Sequence, residues 1–188
     1  PYVCYHSRRT VDLQGIYEAT KRDYQGYQVL WRDTHRAGNG NLNIWIYGKP
    51  AKGTGWGCWN CSTLADLQDQ TTRRQQDGQR VAILSIFEAE SRHEYHIEWL
   101  LDGLEAQYDL DFSLEDLEAK IAQRRGQWWL SFVDAYGRGT NRKYAAVWVR
   151  AAADLRWEAS LALPAFAFQR ELTYQKARSW RPHVIAAH

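Results

Sequence analysis

Apolar positions along this chain alternate between helical and strand spacing, and the alternation recurs. Leu13, Ile16 and Tyr17 fall at i, i+3, i+4; Leu64 and Leu67, then Leu114, Leu117 and Ile121, keep the same face. That spacing predicts an amphipathic helix at each place. After each helix comes a β-rich run, at 27–31 (YQVLW), 80–87 (RVAILSIF) and 128–136 (WWLSFVDAY). A second run ending in Trp follows each, at 41–45 (NLNIW), 95–99 (YHIEW) and 144–148 (YAAVW). Polar stretches at 36–41, 90–92 and 137–141 separate the paired runs, which predicts a β-hairpin each time.

The punctuation agrees with this reading. Thr63-x-x-Asp66 and Ser113-x-x-Asp116 have the form of capping boxes, with a hydroxyl for an orphan N–H and an acid for the helix dipole. Pro164 suits the first turn of a last helix. Gly26, Gly78 and Gly126 stand where helix gives way to strand. Trp45, Trp99 and Trp148 recur roughly every 50 residues, the period of a structural repeat. The expected class is therefore α+β. About four pseudo-symmetric helix-plus-hairpin copies (approximately 10–62, 63–112, 113–163 and 164–188) are expected to form a single domain over 1–188. Its antiparallel sheet would be curved or closed, with helices on one side. Residues 2–6 would complete the last copy by pairing with 182–188, because an open terminal strand exposes unpaired backbone groups.

Composition sharpens the picture mainly through its aromatics. Ten Trp and eleven Tyr in 188 residues far exceed common usage for Trp, and each can fill a core or line a stacking surface. A net charge of +2 gives no strong field toward nucleic acid, although clustered basic residues could still meet an RNA partner. No apolar run approaches the ~18 residues of a membrane span, so no membrane partner is expected, and the chain is expected to be monomeric. PYVCYHSRRT is not a signal peptide and the chain holds no Met; a processed, secreted form is expected. Cys4, Cys58 and Cys61 allow one disulfide, expected between Cys4 and either Cys58 or Cys61. Cys58 and Cys61 also precede a predicted helix whose N-terminus would stabilise a thiolate, which leaves thiol redox work as a weaker reading. Asn60-Cys61-Ser62 fits the glycosylation pattern.

Residues 126–136 (GQWWLSFVDAY), 142–149 (RKYAAVWV), 166–178 and 179–187 (SWRPHVIAA) resemble a tandem repeat of bacterial secreted proteins. The same repeat is found in the N-terminal region of fungal polyglycine hydrolases. The resemblance is closest over 113–188, looser over 63–112 and slight over 1–62. In that family a strand rich in Ser and aromatics precedes a Tyr-Ala-Ala-x-Trp strand. Its serine nucleophile belongs to a separate domain carrying S-x-x-K. No serine here has Lys three residues later, so the resemblance implies a recognition or accessory module and not the hydrolysis.

Candidate chemistry sits where the repeat breaks. Leu42 and Ile44 in the first copy correspond to Ala145 and Val147 in the third, whereas the second holds His96 and Glu98. Strand alternation puts His96, Glu98 and Glu94 on one face. A His beside carboxylates could exchange protons near neutral pH, so Glu94, His96 and Glu98 are the catalytic candidates. His93-x-x-His96 on a strand points to opposite faces, so no metal is expected, and no cofactor. The other face carries Tyr95, Trp99, Tyr144, Trp148 and Trp45, a core or a ligand platform, while Trp56, Trp59 and Trp157 are expected in exposed loops. Arg73-Arg74, Arg80, Arg124-Arg125 and 138–143 gather positive charge that could grip phosphates. The first functional expectation is a secreted recognition module for carbohydrate or protein. The alternative is a small toxin-type hydrolase acting on RNA, a ribonuclease or a ribosomal-RNA N-glycosidase.

Overall fold

A computed structural model describes residues 2–9, 28–37, 40–48, 55–89, 92–137 and 139–183, with side chains from residue 57 onward except those of 88, 89 and 165. Nine strands and three helices lie among these residues. They run β1 (Tyr2–Arg9), β2 (Gln28–Ala37), β3 (Gly40–Gly48), β4 (Gly55–Cys61), α1 (Leu64–Gln76), β5 (Arg80–Ala89), β6 (Arg92–Leu101), β7 (Ala106–Phe112), α2 (Leu114–Arg124), β8 (Trp128–Tyr136), β9 (Lys143–Arg150) and α3 (Ala165–Ala177).

The strands form three separate antiparallel sheets, ordered β1-β3-β2, β4-β6-β5 and β7-β9-β8. The α+β class stands, but the expected four helix-plus-hairpin copies sharing one curved or closed sheet do not. The unit begins one strand earlier than the hydrophobic pattern indicates. A leading strand precedes the helix, and the third strand of the unit inserts between the first and second. The leading strands GWGCWNC and AQYDLDF are rich in Gly, Asn and Asp, which read as loop. Pairing with β6 and β9 makes them strands. β1 likewise pairs with β3, Tyr2 opposite Gly48; of the expected partner segment 182–188, residues 182 and 183 are not in a strand and the rest lie outside the described residues, as does the expected first helix. His183, the last residue described, rests its ring 4.7 Å from that of Trp129 on β8.

The sheets share one irregularity. The second strand of each unit carries a bulge at the same step, between Val29 and Trp31, Val81 and Ile83, and Leu130 and Phe132. Aligning the bulges makes Tyr47, Trp99 and Trp148 equivalent, so the first unit's Trp45 matches Ile97 rather than Trp99. The residues equivalent to His96 and Glu98 are then Ile44 and Ile46 in unit one, and Ala145 and Val147 in unit three. The break in the repeat survives this two-residue shift because a shift of two keeps every side chain on its face.

Local chemistry explains the helix ends. Thr63 Oγ1 accepts from Asp66 N at 3.1 Å, and at Ser113 the full reciprocal box forms. Pro164 is the N-cap of α3, one residue outside the first-turn place expected for it. Gly137, at φ +77°, opens the β8–β9 turn where a Cβ would meet the Asn141 carbonyl oxygen at 2.6 Å, so glycine is required there. Each helix buries a narrow stripe: Leu67 and Thr71 on α1, Leu117 and Ile121 on α2. Thr71 stands where Ile121 does because its hydroxyl donates to Leu67 O at 2.8 Å.

The units stack face against face. The helix-bearing face of sheet two (Leu67, Val81, Leu84, Ile86, Ile97, Trp99) packs on the opposite face of sheet three (Phe132, Tyr136, Ala145, Val147) in one core. A second core closes the helix face of sheet three, where Leu117, Ile121, Trp128 and Trp148 are covered by Trp157, Ala159 and Leu161. β5 touches both β8 and β2. A cross-sheet bond ties unit two to unit three: Ile86 N donates to the buried Asp134 Oδ2 at 2.7 Å.

Candidate functional site

Two clusters of functional side chains follow from this stacking, one on each face of sheet two. The first is the expected acid–base group. His96 and Glu98 share a face of β6, and both are buried, 2% and 1% exposed. His96 Nε2 lies 3.0 Å from Glu98 Oε1, and Nδ1 lies 2.8 Å from Asn60 Oδ1 on β4. An oxygen atom lies within hydrogen-bond distance of each ring nitrogen, so both nitrogens are engaged. Ser85, opposite His96 on β5, is also buried, and its Oγ has no hydrogen-bond partner. With both ring nitrogens engaged, His96 offers none to activate that hydroxyl. Glu94 is not joined to the pair; it turns to Arg92 at 3.3 Å. The expected trio is thus a sealed pair and a separate surface ion pair.

The expected aromatic platform is interior. Tyr95 is buried, and Trp99 and Trp148 are 0% exposed, so none of the three offers a face to a ligand. Tyr144 is half-buried against the second core. Trp157 packs on that core beneath Arg125 and is no free loop residue. Trp56 lies in β4, with its side chain outside the described set. Trp59 is the one placed as an exposed aromatic, at 47%, although it lies on strand β4 rather than in a loop. Alternation places Trp59 on the helix face, one step along from Gly57, which pairs with Trp99.

That helix face holds the second cluster. In unit three, Trp148 Nε1 donates to Asp109 Oδ2 at 2.9 Å, and Arg124 NH2 pairs with the same oxygen at 3.1 Å. The Arg124 guanidinium lies 5.0 Å from the centre of the Trp148 ring. In unit two, Arg74 sits in the same way, 5.4 Å from the centre of the Trp99 ring. The ladders make Trp59 the counterpart of Asp109, because Trp59 pairs with Ile97 and Asp109 with Ala146. Trp99 Nε1 is accordingly buried with no partner. Sequence reasoning missed Arg74, Asn60 and Asp109 as members of these clusters. The signal for Asn60 and Asp109 lay in the leading strands, while Arg74, on α1, reads in the sequence only as part of a basic pair.

The cysteines depart from expectation. Cys58 and Cys61 occupy opposite faces of β4, Cys58 opposite Glu98 and Cys61 opposite Tyr95. Cys61 is a buried free thiol, so the bridge from Cys4 to Cys61 is not made; the side chain of Cys4, in β1, lies outside the described set. Burial and then the Asp66 carboxylate push the Cys61 thiol up to about 12. The helix N-terminus does not outweigh the carboxylate it attracts, and no thiolate is favoured there. The basic residues are largely engaged: Arg73 with Asp69, Arg80 with Asp102 at 2.6 Å, Arg124 with Asp109. No helix among the described residues is long and apolar enough to cross a membrane. Compared with family models and with characterised proteins, the chain gives no match.

Proposed function

We infer that the chain works as a recognition module whose ligand meets the exposed helix-side edge of unit two, around Trp59. The observation that carries this is a contrast in exposure: His96 and Glu98 are 2% and 1% exposed, while Trp59 shows 47% of its surface. A general acid or base must come within hydrogen-bond reach of its substrate. An exposed indole on an edge strand, by contrast, is ready to stack on a ligand at little conformational cost. The resemblance of residues 113–188 to an accessory repeat supports the same reading.

The test is a glycan and peptide binding screen of the wild-type chain against Trp59→Ala. Retained folding with lost binding is expected. Wild-type and variant binding the same ligands equally would place recognition elsewhere and overturn the assignment. Glu98→Gln in a ribosome-inhibition assay addresses the RNA-hydrolase alternative: inhibition by wild type but not by the variant would replace the present reading.

A further inference from the structure

We propose that unit two holds a binding site for the carboxylate of an acidic sugar, formed by Arg74, the indole N–H of Trp99 and the ring of Trp59. The inference deepens the recognition reading and rests on it. Unit three shows the indole donor satisfied from within: Asp109 Oδ2 takes Trp148 Nε1 at 2.9 Å and pairs with Arg124 NH2 at 3.1 Å, although Arg124 NH1 is left without a partner. Unit two keeps both donors and lacks the acceptor. Trp99 is fully buried, its Nε1 has no partner, and Arg74 lies over the ring with no ion pair among the described residues. A buried donor left unpaired is an unstable arrangement that an incoming oxygen would relieve. A planar guanidinium beside a second N–H matches the two oxygens of a carboxylate.

What replaces Asp109 decides the class of ligand. Trp59 stands in its place, exposed, so the ligand's carboxylate and a flat apolar face must lie within one side chain's reach of each other. A pyranuronate has this form, since its carboxyl group is attached to the ring whose C–H face stacks on indole. An aspartate or glutamate side chain carries the acid but no face to stack.

The experiment follows the indole N–H signals in a 1H–15N spectrum of the 15N-labelled chain during titration with methyl glucuronide. Methyl glucoside and N-acetylaspartate amide serve as comparison probes. The Trp99 N–H signal should move downfield with the glucuronide and not with the glucoside. Arg74→Gln should weaken binding at least tenfold. Trp59→Asp should recreate the unit-three arrangement, abolish binding and raise the thermal midpoint. Equal responses to glucuronide and glucoside would overturn the carboxylate assignment, and equal affinity for N-acetylaspartate amide would overturn the sugar. Binding of a neutral glycan at Trp59 with no glucuronide response would remove this inference and leave the recognition reading standing. Failure of every ligand of the screen would remove both.

Discussion

Replacing His96 alone should be far more damaging than replacing His96 and Glu98 together. In the wild type the pair is 3.0 Å apart, and both side chains are almost wholly buried. His96→Ile removes one member of this buried hydrogen-bonded pair, and breaking such a pair from one side costs about 3–5 kcal/mol. For a domain of this size each kcal/mol moves the midpoint by about 2–4 °C, so the single variant should melt roughly 6–20 °C below wild type. His96→Ile with Glu98→Ile restores what unit one carries at these places, Ile44 and Ile46. Exchanging a buried ion pair for apolar groups of similar volume is neutral or stabilising by about 1–4 kcal/mol. Asn60, exposed beside the pair, can turn to water once His96 is gone. Urea denaturation of wild type, both single variants and the double variant closes the cycle and isolates the coupling. Single variants within about 1 kcal/mol of wild type would show that the two side chains are not energetically coupled, and the argument from register would fail with it.

Further expectations follow from other contacts. Asp109→Ala strands Trp148 Nε1 and Arg124 together, so it should cost about 1–3 kcal/mol in urea denaturation, while an exposed Asp such as Asp154 changed to Ala should cost almost nothing. Asp134→Ala removes the acceptor for Ile86 N between sheets two and three, and hydrogen exchange at Ile86 should accelerate before the rest of β5. Cys61 should resist alkylation at pH 8 in the native chain and react once urea unfolds it. Its folded value near 12 exceeds the ordinary 9.0, so between these limits the folded chain binds more protons than the unfolded one. Stability then falls as pH rises above about 9, by no more than about 4 kcal/mol from this group. Tyr95 and Tyr108, raised first by burial, add to the loss in the same direction.

How much could be read in advance divides along the hydrophobic pattern. The hairpins at 80–101 and 128–150 and the helices over 64–76 and 114–124 were legible because alternation and capping residues both mark them. Thr63 and Ser113 cap where the pattern says they should. The leading strands were illegible: Gly55, Gly57 and Asn60 have little intrinsic strand preference, and only the β6 ladder holds them extended. Missing those strands hid the acceptor side of both clusters, Asn60 for His96 and Asp109 for Trp148. The polar break at His96 and Glu98 was found by comparing copies, but its burial was not, because a solvent-facing strand and a face between stacked sheets alternate identically. The aromatic ladder failed to surface for the same reason: Trp99 and Trp148 look outward from their own sheet and inward once the next layer covers them.

That stacking also explains why a repeat would keep a costly polar pair. Three sheets with one strand order could in principle pack in the wrong order, since sheets two and three each present a helix face and an opposite face. Between sheets two and three the opposite face offers Ala145 and Val147 to an apolar core. If unit two took the place of unit three, His96 and Glu98 would enter that core without Asp134 at the neighbouring position, where unit two has Ser85. Ile86 N would then lose the carboxylate that accepts from it, and a polar pair would displace apolar contacts. The order of units is specified by penalising the exchange as much as by rewarding the native contact. The double Ile variant, neutral or stabilising in the native order, should therefore also loosen this discrimination. Slower refolding, with a trapped compact species absent from wild type, is the kinetic sign to look for. Refolding at the wild-type rate through a single phase would show that the pair does not act as a register device.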